Sequence, residues 1–443
     1  MTFTRPWPYS LAAGTTVLAL IVGMPSAMLA APPLPPPLST NAAADGPGSA
    51  SSLAADQWSA LPQGPLSART GQSMVWTGQL LVVWGGLANS PNAQGPSPAL
   101  SDGAAYDPAT KTWSLLPRSP LAPRSGAAAV WDRSEVILWG GQPGATTAHR
   151  YFSDGAAFDP VTDKWQKLPP SPLPGTSDPT AMWTGQEMLV TVGGGATGAP
   201  FEAASYDPAS NRWERLPAVP SVAKLARADV STMGFAHPSH VTVMTAGVTA
   251  AWTGNDLLMW ATYVVSAQGQ GSAVSCSPGP CTAMGLVVQA LSWAPGAHAW
   301  HPLASPQPGL PLLGAAAVWT GREVLFIGGT SCLPRSPACP LRPTSYKPGI
   351  PTYDPTSGAW SSVPGSPALD EPGPVLWAST GQALVGIDDT GHAAALAAGS
   401  KSWKKLAVYP YGDLDAATAA WTGMSLIVWG SDGAGPDYGA VLA

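Results

Sequence analysis

Tyr106-Asp107-Pro108-Ala109-Thr110-Lys111-Thr112-Trp113 is one copy of a phrase that the chain repeats: an aromatic residue, Asp-Pro, four more residues, then Trp. It returns as Phe158-Asp159-Pro160 to Trp165, Tyr206-Asp207-Pro208 to Trp213 and Tyr353-Asp354-Pro355 to Trp360, with eroded copies from Trp293 to Trp300 and from Leu396 to Trp403. Asp-Pro is turn chemistry, because proline presets φ while Asp and Thr accept hydrogen bonds from nearby backbone N–H groups. Upstream lies a second recurring half, an apolar run ending in Trp-Thr-Gly and another ending in Gly-Gly. Read across Arg69 to Leu116, the two halves predict four short strands: Ser73–Trp76, Leu80–Trp84, Gly103–Tyr106 and Lys111–Leu116. Their β-branched and aromatic content suits a buried sheet, and Thr77-Gly78 suits a tight hairpin. A unit that recurs at a fixed period cannot bury its own apolar face and must stack on its neighbours.

The glycine pairs Gly85-Gly86, Gly140-Gly141, Gly193-Gly194 and Gly328-Gly329 precede no helix signal, so they are not read as phosphate-binding loops. They are expected instead where inner strands converge and backbones approach closely. The Gly-Gly pair, the later Tyr and the Trp beyond it resemble the kelch repeat, and a period of about 50 residues agrees. The resemblance extends from Asp56 to the end and implies an all-β fold, a β-propeller of four-stranded antiparallel blades. First-strand tryptophans stand at Trp76, Trp131, Trp183, Trp252, Trp319, Trp377 and Trp421, and fourth-strand ones at Trp58, Trp113, Trp165, Trp213, Trp300, Trp360 and Trp403. The two series are offset, since Trp58 has no first strand before it and Trp421 no fourth strand after it. The expectation is seven blades, with Asp56–Leu61 closing the ring by completing the C-terminal blade. Six is the alternative, because the unit around Trp377 lacks the glycine pair and Asp-Pro.

Charged residues make up only 10% of the chain and the formal net charge is −6. With no basic cluster, a nucleic-acid surface is not expected. The N-terminus reads as a secretory signal: Arg5, an apolar stretch from Leu11 to Gly23, and small residues at Ala27, Ala30 and Ala31. Residues 1–31 are therefore expected to be removed on export, leaving no transmembrane helix, with residues 32–54 as a Pro/Ala/Gly/Ser-rich linker and 55–443 as the propeller. In an oxidising compartment Cys276 with Cys281, and Cys332 with Cys339, read as two local disulfides that pin loop shape. A four-thiolate metal site is the competing reading. No cofactor is expected, and a monomer is.

Alternating strand direction sorts the connections. Thr-Gly and Asp-Pro turns share one face. The other carries the loops after Gly-Gly and the links between blades, including long stretches at 87–102, 142–154, 219–245, 261–285 and 330–351. Variable loops on a rigid scaffold are where binding concentrates, so the candidate site is placed there. Arg69 and Arg124 share one repeat position, which Asp370 occupies in another unit; together they suggest a clasp for an anion or a sugar hydroxyl. The plainer reading is that the arginines bond backbone carbonyls between blades. His149-Arg150, and His237 with His240 in an insertion lacking regular structure, add polar candidates. Tyr151 and Tyr346 lead the aromatics on this face, with Phe152, Phe201, Tyr263, Tyr409 and Tyr411; flat rings suit a sugar or a protein partner, though local packing accounts for most of them.

The kelch fold includes a copper-radical oxidase acting on galactose and an epimerase acting on sialic acid. The oxidase pattern needs a Tyr–Cys crosslink, a second Tyr and two His around copper, and no such set is found here. Asp388-Asp389 is an isolated acidic pair that reads as a turn. The expectation is an exported binding module for a glycan or protein ligand rather than an enzyme. A carbohydrate-active enzyme with a dispersed site and a structural envelope protein are the alternatives.

Overall fold

In the computed structural model the described residues are 57–88, 97–144, 151–177, 179–194, 199–222, 237–270, 281–306, 310, 312–330, 349–366, 376–379, 383–388, 390–411, 414, 417–430 and 438–442. They form seven four-stranded sheets and a two-stranded patch joining Arg69–Thr70 to Leu87–Ala88. Each four-stranded sheet is one blade of a propeller. Blade 1 runs Ser73–Trp76, Leu81–Trp84, Gly103–Asp107, Thr112–Leu115, and blade 2 runs Ala128–Trp131, Val136–Trp139, Gly155–Asp159, Lys164–Lys167. Blade 6, the eroded unit, is complete: Leu376–Ser379, Ala383–Ile387, Ala393–Ala397, Trp403–Lys405. Blade 7 is built from both ends of the propeller. Thr418–Trp421, Leu426–Gly430 and Tyr438–Leu442 are finished by Trp58–Ala60, in the register Trp58↔Leu442, Ser59↔Val441, Ala60↔Ala440. The ring therefore closes as the offset tryptophan series require.

The repeated phrase explains this regularity in bonds. Each fourth-strand indole N–H donates to a carbonyl of the link arriving from the preceding blade. Trp113 bonds Pro62 O at 2.9 Å, Trp165 bonds Pro117 O at 3.0 Å, Trp213 bonds Pro169 O at 3.2 Å and Trp300 bonds Pro217 O at 2.7 Å. Trp360, Trp403 and Trp58 do the same with Ala304, Pro364 and Ala407. The residues that close each unit, Leu116-Pro117 in blade 1 for example, are thus the acceptor half of a clamp. A third tryptophan position, absent from the sequence reading above, lies at the end of the second strand. Trp84, Trp139, Trp260 and Trp429 are at most 2% exposed. Each packs on the fourth-strand tryptophan of the following blade, with ring centroids at 6.1, 6.0, 6.3 and 6.1 Å for the partners Trp165, Trp213, Trp360 and Trp113. The core is consequently a set of interblade layers rather than one central mass.

The glycine pairs of blades 1 and 2 sit where one blade receives the next, while Gly193-Gly194 and Gly328-Gly329 lie within the strands Met188–Gly194 and Val324–Thr330. Gly85 and Gly86 have φ of 70° and 103°, and Gly86 N–H donates to Arg124 O at 2.9 Å. A Cβ on Gly85 would stand 2.8 Å from that same oxygen. One blade on, Gly141 N–H donates to Thr176 O at 3.0 Å. The carbonyls received come from Arg124 and Thr176, which occupy equivalent repeat positions.

Blade 4 departs from the pattern and corrects the sequence reading. Its first three strands are His237–Trp252, Leu257–Gln270 and Cys281–Trp293, of 16, 14 and 13 residues, whereas blade 1 uses strands of 4 to 5. Much of 237–245 and 261–285, expected as insertion and loop, is sheet in continuous antiparallel register from Trp252↔Leu257 to His237↔Gln270, broken by two shifts. At a rise of about 3.3 Å per residue, the added length lifts a three-stranded ribbon well beyond the loop face.

Candidate functional site

On the long-loop face the two arginines are buried. The Arg69 and Arg124 side chains have no exposed surface, and each holds a half-exposed aspartate, Arg69 Nη1 to Asp102 Oδ1 at 3.0 Å and Arg124 Nη1 to Asp154 Oδ1 at 2.8 Å. Their remaining donors turn inward. Arg69 Nε donates to Ser67 O and Nη1 to Gly85 O, both at 3.0 Å; Arg124 repeats this with Ala122 O and Gly140 O, also at 3.0 Å. The Arg124 guanidinium further lies over the Phe152 ring, 3.9 Å from its centroid. Both residues thus fasten the glycine corner and the strand that follows it, and the carboxylates of Asp102 and Asp154 are what this position offers to solvent. Those carboxylates escaped the sequence reading. Their signal was present, since Ser101-Asp102-Gly103-Ala104-Ala105 and Ser153-Asp154-Gly155-Ala156-Ala157 are the same words in the same frame.

The other candidates scatter. His237 and His240 lie in the first strand of blade 4, opposite Gln270 and Gln268, with a register shift between Pro238 and His240; the absence of regular structure expected there is corrected. Tyr151 is half-buried beside the Gly141 corner, where Phe152 N–H donates to Gly141 O at 2.8 Å. His149, Arg150, Tyr346 and Asp370 lie outside the described residues, as do Cys276, Cys332 and Cys339; Cys281 opens the third strand of blade 4. Of the remaining aromatics, Phe201 packs edge-on against Trp300 at 5.9 Å and Tyr409 against Trp58 at 5.0 Å. Tyr263 donates to Gln289 Oε1 at 3.0 Å, and Gln289 in turn bonds Pro220 O at 2.9 Å; burial pushes the Tyr263 phenol up. Packing accounts for all three. Asp388 is a turn residue, accepting from Thr390 and His392 N–H at 3.0 and 2.9 Å. Among the described residues no group of three or more His, Cys, Asp or Glu is placed to hold a metal.

The turn face is regular. Thr77, Thr184, Thr253, Thr320 and Thr422 each accept a backbone N–H across the hairpin through Oγ1, at 2.9 to 3.2 Å. Blade 2 replaces Thr-Gly by Asp132-Arg133, and Asp132 Oδ1 takes the same N–H, from Glu135, at 2.6 Å. An acidic corner results. Burial, then Asp132 and Asp159, raise the Glu135 carboxyl, and burial, then Glu135, Asp132 and Asp207, push the Tyr206 phenol up to about 12. Asp159, Asp207 and Asp354 sit in the Asp-Pro turns and are lowered, first by hydrogen bonds from the hydroxyls of Thr162, Ser210 and Ser357. An open cleft of about 750 Å³ runs on this side between blade 3 (Thr180–Trp183, Met188–Gly194, Ala199–Asp207 and Arg212–Arg215) and blade 4, with Trp252 and Trp293 beside Glu187, Glu214 and Asn255. Its neighbour Arg215 is held by Glu202 and by Pro172 O.

Residues 50–245 match the family model for the KLHDC2/KLHL20/DRC7 Kelch-repeats domain. Over those residues the repeats are kelch repeats, and the described residues as a whole form a β-propeller of seven blades. Kelch propellers are commonly interaction modules. Among solved structures, one described as "Structure of YjhT" is similar at 18% identity over 62% of this chain and 80% of that one, with a TM-score of 0.40. No curated protein matches the chain. Among the described residues no helix is long and apolar enough to cross a membrane.

Proposed function

We propose that this propeller is a binding module whose ligand is a protein taken on the long-loop face, and that it is exported after removal of residues 1–31. The observation that carries the reading is the asymmetry between the faces. One is a ring of short hydrogen-bonded turns, while the other bears irregular loops and the raised ribbon of blade 4. On that ribbon Val241, Val243 and Met244 are 38%, 37% and 49% exposed, a run of apolar side chains that a folded surface seldom leaves open without use. A protein is favoured over a glycan because Arg69 and Arg124, the donors best suited to clasp a sugar hydroxyl, are spent within the scaffold.

The test places a photo-crosslinking residue at Met244 on the loop face or at Met424, 74% exposed on the turn face, in the cells that make the protein. The expected result is a discrete crosslinked partner from position 244 and none from 424. The reverse pattern would reject the loop face as the site. A specific hit on a glycan array, without a protein crosslink, would move the reading to carbohydrate binding. Intact mass of the mature protein, expected to begin near Ala31, tests export.

A further inference from the structure

We infer that two copies of this chain pair through the outer edge of blade 4, in place of the monomer expected from the sequence. Among the described residues the third strand of that blade, Cys281–Trp293, is covered on its outer side only by His301–Pro302, opposite Leu291 and Ser292. Leu303 N–H donates to Ala290 O at 2.9 Å, so Ala290 turns its backbone groups outward. In an antiparallel ladder outward-facing residues alternate, which places the N–H and C=O groups of Val288, Leu286, Met284 and Thr282 on the same open side. Among the described residues no strand pairs with them.

An open edge of this length is a template for another strand, and proteins ordinarily guard such edges with charge. The outer strands of blades 2, 3 and 6 are guarded in this way, by Lys164 and Lys167, by Arg212, Glu214 and Arg215, and by Lys404 and Lys405. Blade 4 has no such guard: His237–Trp252, Leu257–Gln270 and Cys281–Trp293 contain no Asp, Glu, Lys or Arg. On a chain of net charge −6, two copies meeting here bring no like charges together, and the absence of charge makes the edge complementary to itself. A twofold axis at Gly285 sets Thr282 opposite Val288 and Met284 opposite Leu286, so every outward backbone group finds a partner on the other copy. This is the self-complementary contact that twofold dimers require, made by strand addition.

The proposal is independent of the loop-face ligand. It is tested on the mature protein by light scattering after size exclusion over a concentration series, together with hydrogen exchange of the amides of Leu286 and Val288. A dimer mass is expected, with protection of those two amides rising with protein concentration. Leu286→Pro removes an outward N–H and leaves the inner ladder to the second strand intact, a place where an edge tolerates proline; it is expected to give a monomer with an unchanged unfolding midpoint. Should that variant fail to fold, Leu286→Lys supplies the missing guard and carries the same expectation. A wild-type monomer at every concentration overturns the proposal, as does protection independent of concentration, which would mean that the edge is covered within one chain.

Discussion

Replacing Gly78 and Gly85 by alanine, one at a time, separates two costs that glycine hides in this fold. Both residues have positive φ, 92° and 70°. A Cβ on Gly78 meets nothing within 4 Å, whereas on Gly85 it would stand 2.8 Å from the Arg124 carbonyl oxygen. Gly78→Ala therefore carries only the left-handed backbone of an L-residue, about 1–2 kcal/mol, less the ~0.4–1 kcal/mol returned by a more restricted unfolded chain. The net loss expected is about 1 kcal/mol. Gly85→Ala carries that and must also push back a main-chain carbonyl of the next blade, which cannot rotate away as a side chain can. Overpacking of this kind costs about 1–3 kcal/mol. The same oxygen accepts the Gly86 N–H at 2.9 Å, so its displacement strains a hydrogen bond worth about 1 kcal/mol as well. The expected total is about 2–5 kcal/mol. Urea unfolding with a common m-value measures both variants; if refolding fails, midpoints at one fixed scan rate rank them. Equal losses at the two positions would refute the claim that the glycine corner is the place where blades latch.

Among the described residues Arg124 Nη2 finds no acceptor, whereas Arg69 Nη2 reaches Ser67 Oγ at 3.4 Å and Asp102 Oδ2 at 3.2 Å. Ala122 stands where blade 1 has Ser67, so Ala122→Ser is expected to raise stability by about 0.5–1.5 kcal/mol in urea, and a loss would reject the equivalence of the two corners. Trp165→Phe keeps an aromatic ring against Phe158 but deletes the bond to Pro117 O; a loss of about 1–3 kcal/mol is expected for the orphaned, part-buried carbonyl and the smaller ring, and a loss within error would deny the clamp its role. The Tyr206 phenol is more basic folded than unfolded, so its contribution is whole below the ordinary value of 10.0 and falls away as pH rises toward about 12. Tyr206→Phe is expected to flatten that alkaline limb of stability against pH, and an unchanged limb would assign it to other groups. The raised Glu135 carboxyl reports that its ionised form is disfavoured. Glu135→Gln is accordingly expected to stabilise the protein at neutral pH, with the gain fading as pH falls through the carboxylate range, and a gain that persists in acid would contradict the charge argument.

The ring was legible because its signals are large residues bound by geometry. An indole that must reach a link carbonyl from a fixed strand position cannot drift in sequence, so the offset between the two tryptophan series counted the blades and located their closure at Trp58. The site was less legible. Arg69 and Arg124 stood out as the same charged residue at the same repeat position, a pattern as consistent with a ligand clasp as with a scaffold bond. Only their partners distinguish the two, and Asp102 and Asp154 lie 33 and 30 positions downstream, across a loop and a glycine corner.

Blade 4 was misread for an instructive reason. In blades 1 and 2 the second strand ends at a glycine pair whose positive φ turns the chain out of the ladder. At the corresponding place blade 4 has Ala261 and Thr262, which remain in the strand opposite Val248 and Gly247, and the pairing runs on to Gln270. The repeat frame set the expected strand length from blades that possess the terminator, so the alternation of Val241, Val243 and Thr245 was assigned to an insertion. In blades 3 and 5 the glycine pair itself lies inside the second strand, Met188–Gly194 and Val324–Thr330, so the pair alone is not a stop; in blade 4 nothing at that place turns the chain out of the ladder. The longer strands of blade 4 carry its outer edge past the two-residue fourth strand His301–Pro302. The feature least visible in the repeat is therefore the one that gives this propeller a surface its other blades lack.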